Sequence, residues 1–157
     1  MTTFFSDSEH PEEPKAPPKS ARRRSREFIL QGLYQWRVGG ADEAYAPEME
    51  GFAKADREFF VGTLRGVIGQ HQALTEQITA HIDRPFAELS PVEACILMMG
   101  SFEMINHPET PYRVIINEAI ELTKAFGGTD GHKYVNGVLD KVAAIVRADE
   151  VAARKKA

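Results

Sequence analysis

The sequence predicts an all-α protein, on three observations. Apolar residues recur every three or four positions through successive segments, the spacing of one helical face. Helix punctuation falls between those segments: Gly39-Gly40 and Gly127-Gly128 as stops, and Ser90, Pro91 and Glu93 as a start. No run sustains the period-two alternation that a half-buried strand requires.

The elements follow in chain order. Residues 1–19 carry Pro11, Pro14, Pro17 and Pro18 among Asp7, Glu9, Glu12 and Glu13. Such a leader holds too little apolar surface to offset the entropy of ordering, and disorder is expected. A first helix is expected over 21–38, with Phe28, Ile29, Leu33 and Trp36 on its apolar face. Residues 41–53 are polar, broken by Pro47 and Gly51, and read as a loop with a short helix.

One long helix is expected next, from Ala55 or Asp56 to just before Asp83-Arg84-Pro85. Its stripe is Phe60, Leu64, Val67, Ile68, Leu74 and Ile78. Gly62, Gly66 and Gly69 lower its helix propensity but let a neighbouring helix come close. A short turn spans 86–89. Ser90 is then an N-cap candidate, Pro91 suits the first helical position, and Glu93 completes a capping box. The helix over 91–106 is apolar nearly all round, which places it at the centre of the core.

Pro108 ends that helix. Another starts at Pro111 or Tyr112, with Ile115, Ala119, Leu122 and Phe126 spaced 4-3-4. The last is expected over about 130–149, with Val135, Val138, Leu139, Val142, Ile145 and Val146 on one stripe. The total is six or seven helices in a folded region over 20–149. A basic tail over 150–157 follows, carrying Arg154, Lys155 and Lys156. Short connections after residue 80 imply antiparallel neighbours there.

A chain of 157 residues can bury a sizeable single core. Cys95 is the one cysteine, so no internal disulfide or thiolate cluster can form. It sits in an apolar run and reads as a small buried hydrophobe, consistent with a reducing cytoplasm. No signal peptide is visible, and no apolar stretch reaches the ~18 residues of a membrane span. A net charge of −4 argues against a general nucleic-acid coat. Any contact with nucleic acid should be a patch.

One such patch is written into the chain: Arg22, Arg23, Arg24 and Arg26. Like charges packed together repel, and a phosphate polyanion that releases counterions is one reason to gather them. A planar guanidinium fork also matches phosphate geometry. The other reading is a solvated flank of a terminal helix.

Signals of catalysis are missing. There is no Gly-x-Ser-x-Gly elbow and no Walker loop. The histidines at 10, 71, 81, 107 and 132 include no pair spaced to hold a metal on one helical face, and His81 and Asp83 fall on different faces. Glu118 and Glu121 have the spacing of a carboxylate pair but read as a solvated face. Asn117 stands among apolar neighbours and should need an internal partner. Between residues 129 and 137, Asp130 can cap the last helix, with Lys133 and Tyr134 in its first turn. Tyr134 reads either as core or as a stacking group beside a cation, suited to an unstacked RNA base. Asn136 could reach a base edge or the chain itself.

Together these residues resemble the NusB transcription antitermination family. Three motifs in order carry the resemblance. The first is Ala21-Arg22-Arg23-Arg24-Ser25-Arg26-Glu27 with Leu33-Tyr34-Gln35-Trp36. The second runs from Pro111 to Leu122 through Val114-Ile115-Ile116-Asn117-Glu118-Ala119. The third is His132-Lys133-Tyr134-Val135-Asn136-Gly137-Val138-Leu139-Asp140-Lys141. The resemblance covers about 21–147 and implies an all-helical fold of two packed sub-bundles.

It further implies pairing with NusE, a small-subunit ribosomal protein, and binding of single-stranded boxA RNA. The pair would act within an antitermination complex on RNA polymerase, notably at ribosomal RNA operons. RNA-binding positions carry over to Arg22, Arg23, Arg24, Arg26 and Tyr134, and Lys133 and Asn136 join them on residue type. Tyr34 and Glu93 match positions linked to the NusE interface, and Asp130, taken with them as partner-binding, matches one linked to antitermination strength. The family usually has Phe where this chain has Tyr134, and often Ser where it has Gly131. Some relatives are dimers that hide the arginine surface, so a homodimer is a further implied partner. No metal, cofactor or catalytic residue is implied.

Two other readings are an interaction module whose arginines meet an acidic protein, and a relative of the helical domain that leads some RNA cytosine methyltransferases. The second would need a glycine-rich cofactor loop and a nucleophilic cysteine for catalysis, which this sequence does not offer.

Overall fold

The computed structural model describes residues 20–40, 54–128 and 130–156. The leader 1–19 and the loop 41–53 lie outside the described residues. Within them the chain is helical and holds no strand. Seven α-helices are described: α1 Ala21–Gly39, α2 Arg57–Gly69, α3 His71–Thr79, α4 Pro91–Asn106, α5 Tyr112–Phe126, α6 Gly131–Val146 and α7 Ala148–Lys156. A 3-10 turn, Phe86–Glu88, precedes α4.

α4 is the axis of the molecule. Ala94 through Met99 are almost completely buried, as an all-round apolar helix must be. On one side it packs against α1, α2 and α3, and on the other against α5 and α6. The core is one continuous cluster through α4, so the two sub-bundles share their central helix. Each fully buried Leu or Ile there is worth about 1.5–3 kcal/mol relative to exposure.

The helix starts behave as their side chains dictate. Ser20 accepts from the Arg23 amide at 3.1 Å and opens α1, and Asp56 accepts from the Phe59 amide at 3.0 Å and opens α2. Ser90 accepts from the Glu93 amide at 3.2 Å and donates its hydroxyl to the Glu93 carboxylate at 2.7 Å. Gly40 ends α1 at φ 67°, in the left-handed region that favours glycine.

Four expectations are corrected. The long helix over 55–82 is two helices. Gln70 leaves helical geometry at φ −111° and ψ 17°, and His71 Nδ1 lies 2.8 Å from the Ile68 carbonyl oxygen. A weak helix former at Gly69 and a side chain competing for a ladder carbonyl explain the break.

The last helix also divides, at Arg147. Its guanidinium turns inward and donates to the carbonyls of Met104, His107 and Thr110 at 2.7, 2.9 and 3.0 Å. Residues 148–156 of the expected tail and its approach then form α7. Asp149 and Glu150 stand in its first turn and Arg154, Lys155 and Lys156 in its last, as the helix dipole favours.

Of the three glycines in the second segment, only Gly66 serves close approach. A β-carbon there would fall 2.2 Å from Phe102 Cζ, while Gly62 and Gly69 face open space. Finally, Asn117 is exposed, so water rather than an internal partner satisfies its amide.

Helix directions place the candidate residues. Arg26 near the start of α1 meets Glu103 near the end of α4, while Arg37 near the end of α1 lies over the Phe86 ring just before α4. α1 and α4 are therefore antiparallel. α5 and α6 are antiparallel too: Arg113 pairs with Asp140 at 3.0 Å, and Thr123 lies against Gly131.

Candidate nucleic-acid interface

The arginine run falls on the first turns of α1, where helical geometry sends its members in different directions. Arg26 points inward and is 5% exposed. Its Nε and Nη2 donate to the two Glu103 oxygens at 2.9 and 2.7 Å, and its Nη1 donates to Glu118 at 3.2 Å. Burial opposes the Arg26 charge, but Glu103 and then Glu118 outweigh it and hold the guanidinium above its ordinary range. The expected phosphate contact at Arg26 is corrected on these grounds. The side chain is a buried tie between α1, α4 and α5.

Glu118 continues the chain of charges outward. Its carboxylate accepts from Arg23 Nε at 3.1 Å to each oxygen and from Nη2 at 2.6 Å. That contact raises the Arg23 pKa. The expected solvated face at Glu118 is likewise corrected: the carboxylate is buried because two guanidiniums meet it. The ladder Glu103–Arg26–Glu118–Arg23 thus runs from core to surface. At its outer end Arg23 is 46% exposed along its side chain. Glu118 occupies its Nε–H and one Nη2–H. Of its five donors, the Nη1 pair and one Nη2 hydrogen have no partner among the described residues.

Arg22 turns the other way. It donates to Glu109 and Thr110 at 3.2 Å each, lies 3.8 Å from Asp56 and sits 4.6 Å above the Phe59 ring. The Arg24 side chain has no ion pair or hydrogen bond among the described residues, and it is the run's uncommitted cation.

The second group opens α6. Asp130 takes the N-cap place, but its side chain makes no capping hydrogen bond, contrary to expectation. Its backbone carbonyl accepts from the Lys133 amide at 3.2 Å, and its carboxylate stands 3.9 Å from Lys133 Nζ, both side chains largely in solvent. Tyr134 is half-buried. Burial pushes its phenol pKa up, and the hydroxyl is enclosed with no hydrogen-bond partner among the described residues. The Asn136 carbonyl oxygen is enclosed in the same way. Glu93 belongs here: a β-carbon on Gly131 would lie 3.3 Å from its Cδ. Tyr34 lies half-buried on α1.

The two groups do not form one contiguous patch. Glu103 anchors the first and Glu93 borders the second. They stand at opposite ends of α4, ten residues and hence about 15 Å apart along the axis. An open cleft between α1 and α5 leads from Arg23 past Glu121 and Leu122 to Phe126, close to where α6 begins.

Sequence reasoning missed the buried roles of Glu103 and Glu118 as counter-ions. It also missed Arg84, whose guanidinium carbon lies 5.0 Å from the Tyr134 ring centroid. An uncompensated arginine facing a core helix was the available signal for Glu103. Arg84 gave none, because fifty residues separate it from Tyr134.

Cys95 is fully buried, and burial pushes its thiol up to about 12. Among the described residues no three metal-ligating side chains gather, and no helix is long and apolar enough to cross a membrane.

Comparison with known proteins follows the same outline. Residues 23–144 match the model of the NusB family. A transcription antitermination protein NusB of Dechloromonas aromatica is 84% identical, over 100% of this chain and 99% of the relative. Its counterpart in Ralstonia nicotianae is 56% identical, over 92% and 96%. The solved structure of T. maritima NusB superposes with a TM-score of 0.72 at 24% identity, covering 86% of this chain and 99% of that one, which speaks to the fold.

Proposed function

The chain belongs to the NusB family, and from that premise we propose that it is a transcription antitermination factor that binds boxA-type single-stranded RNA together with NusE. The pair would act in an antitermination complex on RNA polymerase at ribosomal RNA operons, in the cytoplasm. One observation carries the RNA reading: the charge ladder that ends at Arg23. A buried ion pair holds the α1 start against α4 and α5, so Arg23 and Arg24 are presented from a rigid base. Fixing a guanidinium before binding lowers the entropy lost on contact with phosphate. Glu118 takes one edge of Arg23 and leaves donors on the other for an incoming oxygen.

RNA following this path would leave the arginines, track the α1–α5 cleft and reach Lys133, Tyr134 and Asn136. Asp130, Glu93 and Tyr34 are the proposed partner-facing residues. Ion pairing also weakens the long-range pull of the run. Arg22 and Arg23 each face a carboxylate, so among the described residues only Arg24 of the run adds uncompensated charge there. Weak RNA binding by the chain alone follows from that neutralisation.

A filter-binding titration against boxA-type RNA, with and without NusE and across salt concentrations, tests the reading. Sequence-selective binding by the pair is expected. Equal retention of an unrelated RNA would overturn the boxA selectivity, and retention of neither would point to the interaction-module reading instead.

A further inference from the structure

We propose that Arg84 is an RNA-stacking residue: its guanidinium covers the Tyr134 ring and offers its outer face to a base. This rests on the RNA reading above and adds a residue that the arginine run and the α6 motif do not contain.

The geometry is that of a cation held over an aromatic face. The Arg84 guanidinium carbon lies 5.0 Å from the ring centroid, within cation–π range. Asp83 accepts from Arg84 Nε at 3.0 Å and steadies the group from its edge. The Arg84 side chain is still 47% exposed, and its Nη1 and Nη2 hydrogens have no partner among the described residues. Pro85 biases the Arg84 backbone toward extended geometry, which fixes where its side chain departs from the chain. The Tyr134 hydroxyl is turned into the protein, so the ring offers a face rather than a polar tip.

Charge decides what such a station can recognise. Lys133, Lys141, His81 and Asp83 line the hollow beside Tyr134, with Arg84 over the ring and Glu93 and Asp130 close by. Cations and anions interleaved in this way leave only a weak field to draw in phosphate. Short-range stacking does not need one. Every base has a flat face, and guanidinium planes and aromatic rings both accept unstacked bases.

The test is boxA-type RNA binding by the full chain with NusE, comparing the parent with Arg84→Ala and Arg84→Lys. Each protein is first shown to melt at the parent temperature, as an exposed side chain should allow. Both variants should bind about tenfold more weakly, within the range seen when one stacked base loses its platform, with the salt slope unchanged. Lysine keeps the charge and loses the plane, so it should not rescue. Parent-like affinity in Arg84→Ala overturns the proposal. So does full rescue by Arg84→Lys, or a slope flattened by the roughly 0.7 expected when one phosphate is no longer neutralised. If the parent pair binds no boxA-type RNA, the RNA reading fails and takes this inference with it.

Discussion

The two ends of α4 treat charge in opposite ways. At its C-terminal end Arg26 is buried between Glu103 and Glu118, and that charge serves the fold. Near its N-terminal end Arg84 lies over a half-buried ring and Lys133 stands largely in solvent, each beside an exposed carboxylate, so that charge stays at the surface where a ligand can reach it. The contrast teaches that a count of arginines in sequence is not a count of arginines on the surface. Four guanidiniums in five positions look like one polyanion site. Helical geometry turns one into the core, sets two against carboxylates and leaves one uncommitted among the described residues.

The largest test of that contrast is stability. Arg26→Ala leaves Glu103 and Glu118 without their shared partner in a buried setting. It should cost about 3–5 kcal/mol, read from the urea midpoint. Arg26→Met with Glu103→Leu removes both charges and should stay near parent stability. A loss below about 1 kcal/mol in the single variant would mean the pair is wetter than it stands here. Arg84→Ala, at the other end, should leave the midpoint in place.

Next comes the ring. Tyr134→Ala should weaken RNA binding by about 1–3 kcal/mol if a base stacks there. Tyr134→Phe removes a hydroxyl that is buried without a partner, so it should keep RNA affinity. It should also match or exceed parent stability, by up to about 1 kcal/mol, because an unsatisfied buried polar group is a cost. A destabilised Phe variant would show that the hydroxyl has a partner after all.

Salt dependence separates the arginines from one another. Arg24→Ala should flatten the slope of log affinity against log salt by roughly 0.7, since one phosphate then keeps its counterions. Glu118→Gln uncovers the Arg23 charge while Arg26 keeps Glu103, and should steepen the slope by a similar amount. Identical slopes in parent and Glu118→Gln would show that Arg23 meets no phosphate.

The smallest effects are titrations. The Cys95 thiol, near 12, carries almost no thiolate at pH 8, so a thiol reagent should react only as the chain unfolds. Glu109 is held down to about 2, first by His107, then by backbone and Arg22 contacts. A folded-state value below the ordinary 4.5 means its contribution is complete above that pH. It is lost as pH falls toward about 2. Since Glu109 is exposed, the effect on stability should be slight. An NMR titration of its carboxyl group would show the shift directly.

The helical fold was legible because periodicity and punctuation are local. Ser90 with Glu93 caps α4, and Gly40 closes α1, as their side chains require. The breaks at Gln70 and Arg147 were not legible. Both depend on side chains that reach for carbonyls: His71 for Ile68 within its own segment, and Arg147 for carbonyls 37–43 positions away at and beyond the end of α4. The candidate site divides along the same line. Arg24, Lys133 and Tyr134 could be picked out by residue type. The buried fate of Arg26 could not, because its partner Glu103 lies 77 residues on.

By itself the amino-acid sequence determined the all-helical class, the start at Ser90, the stop at Gly40, the central place of the 91–106 segment and the family, since each rests on residues near one another in the chain. Tertiary structure alone decided which cations are committed to the fold and which face solvent. Coulomb energy and desolvation depend on distance through space, and no spacing along the chain reports that Glu118 waits between Arg23 and Arg26, or Arg84 above Tyr134.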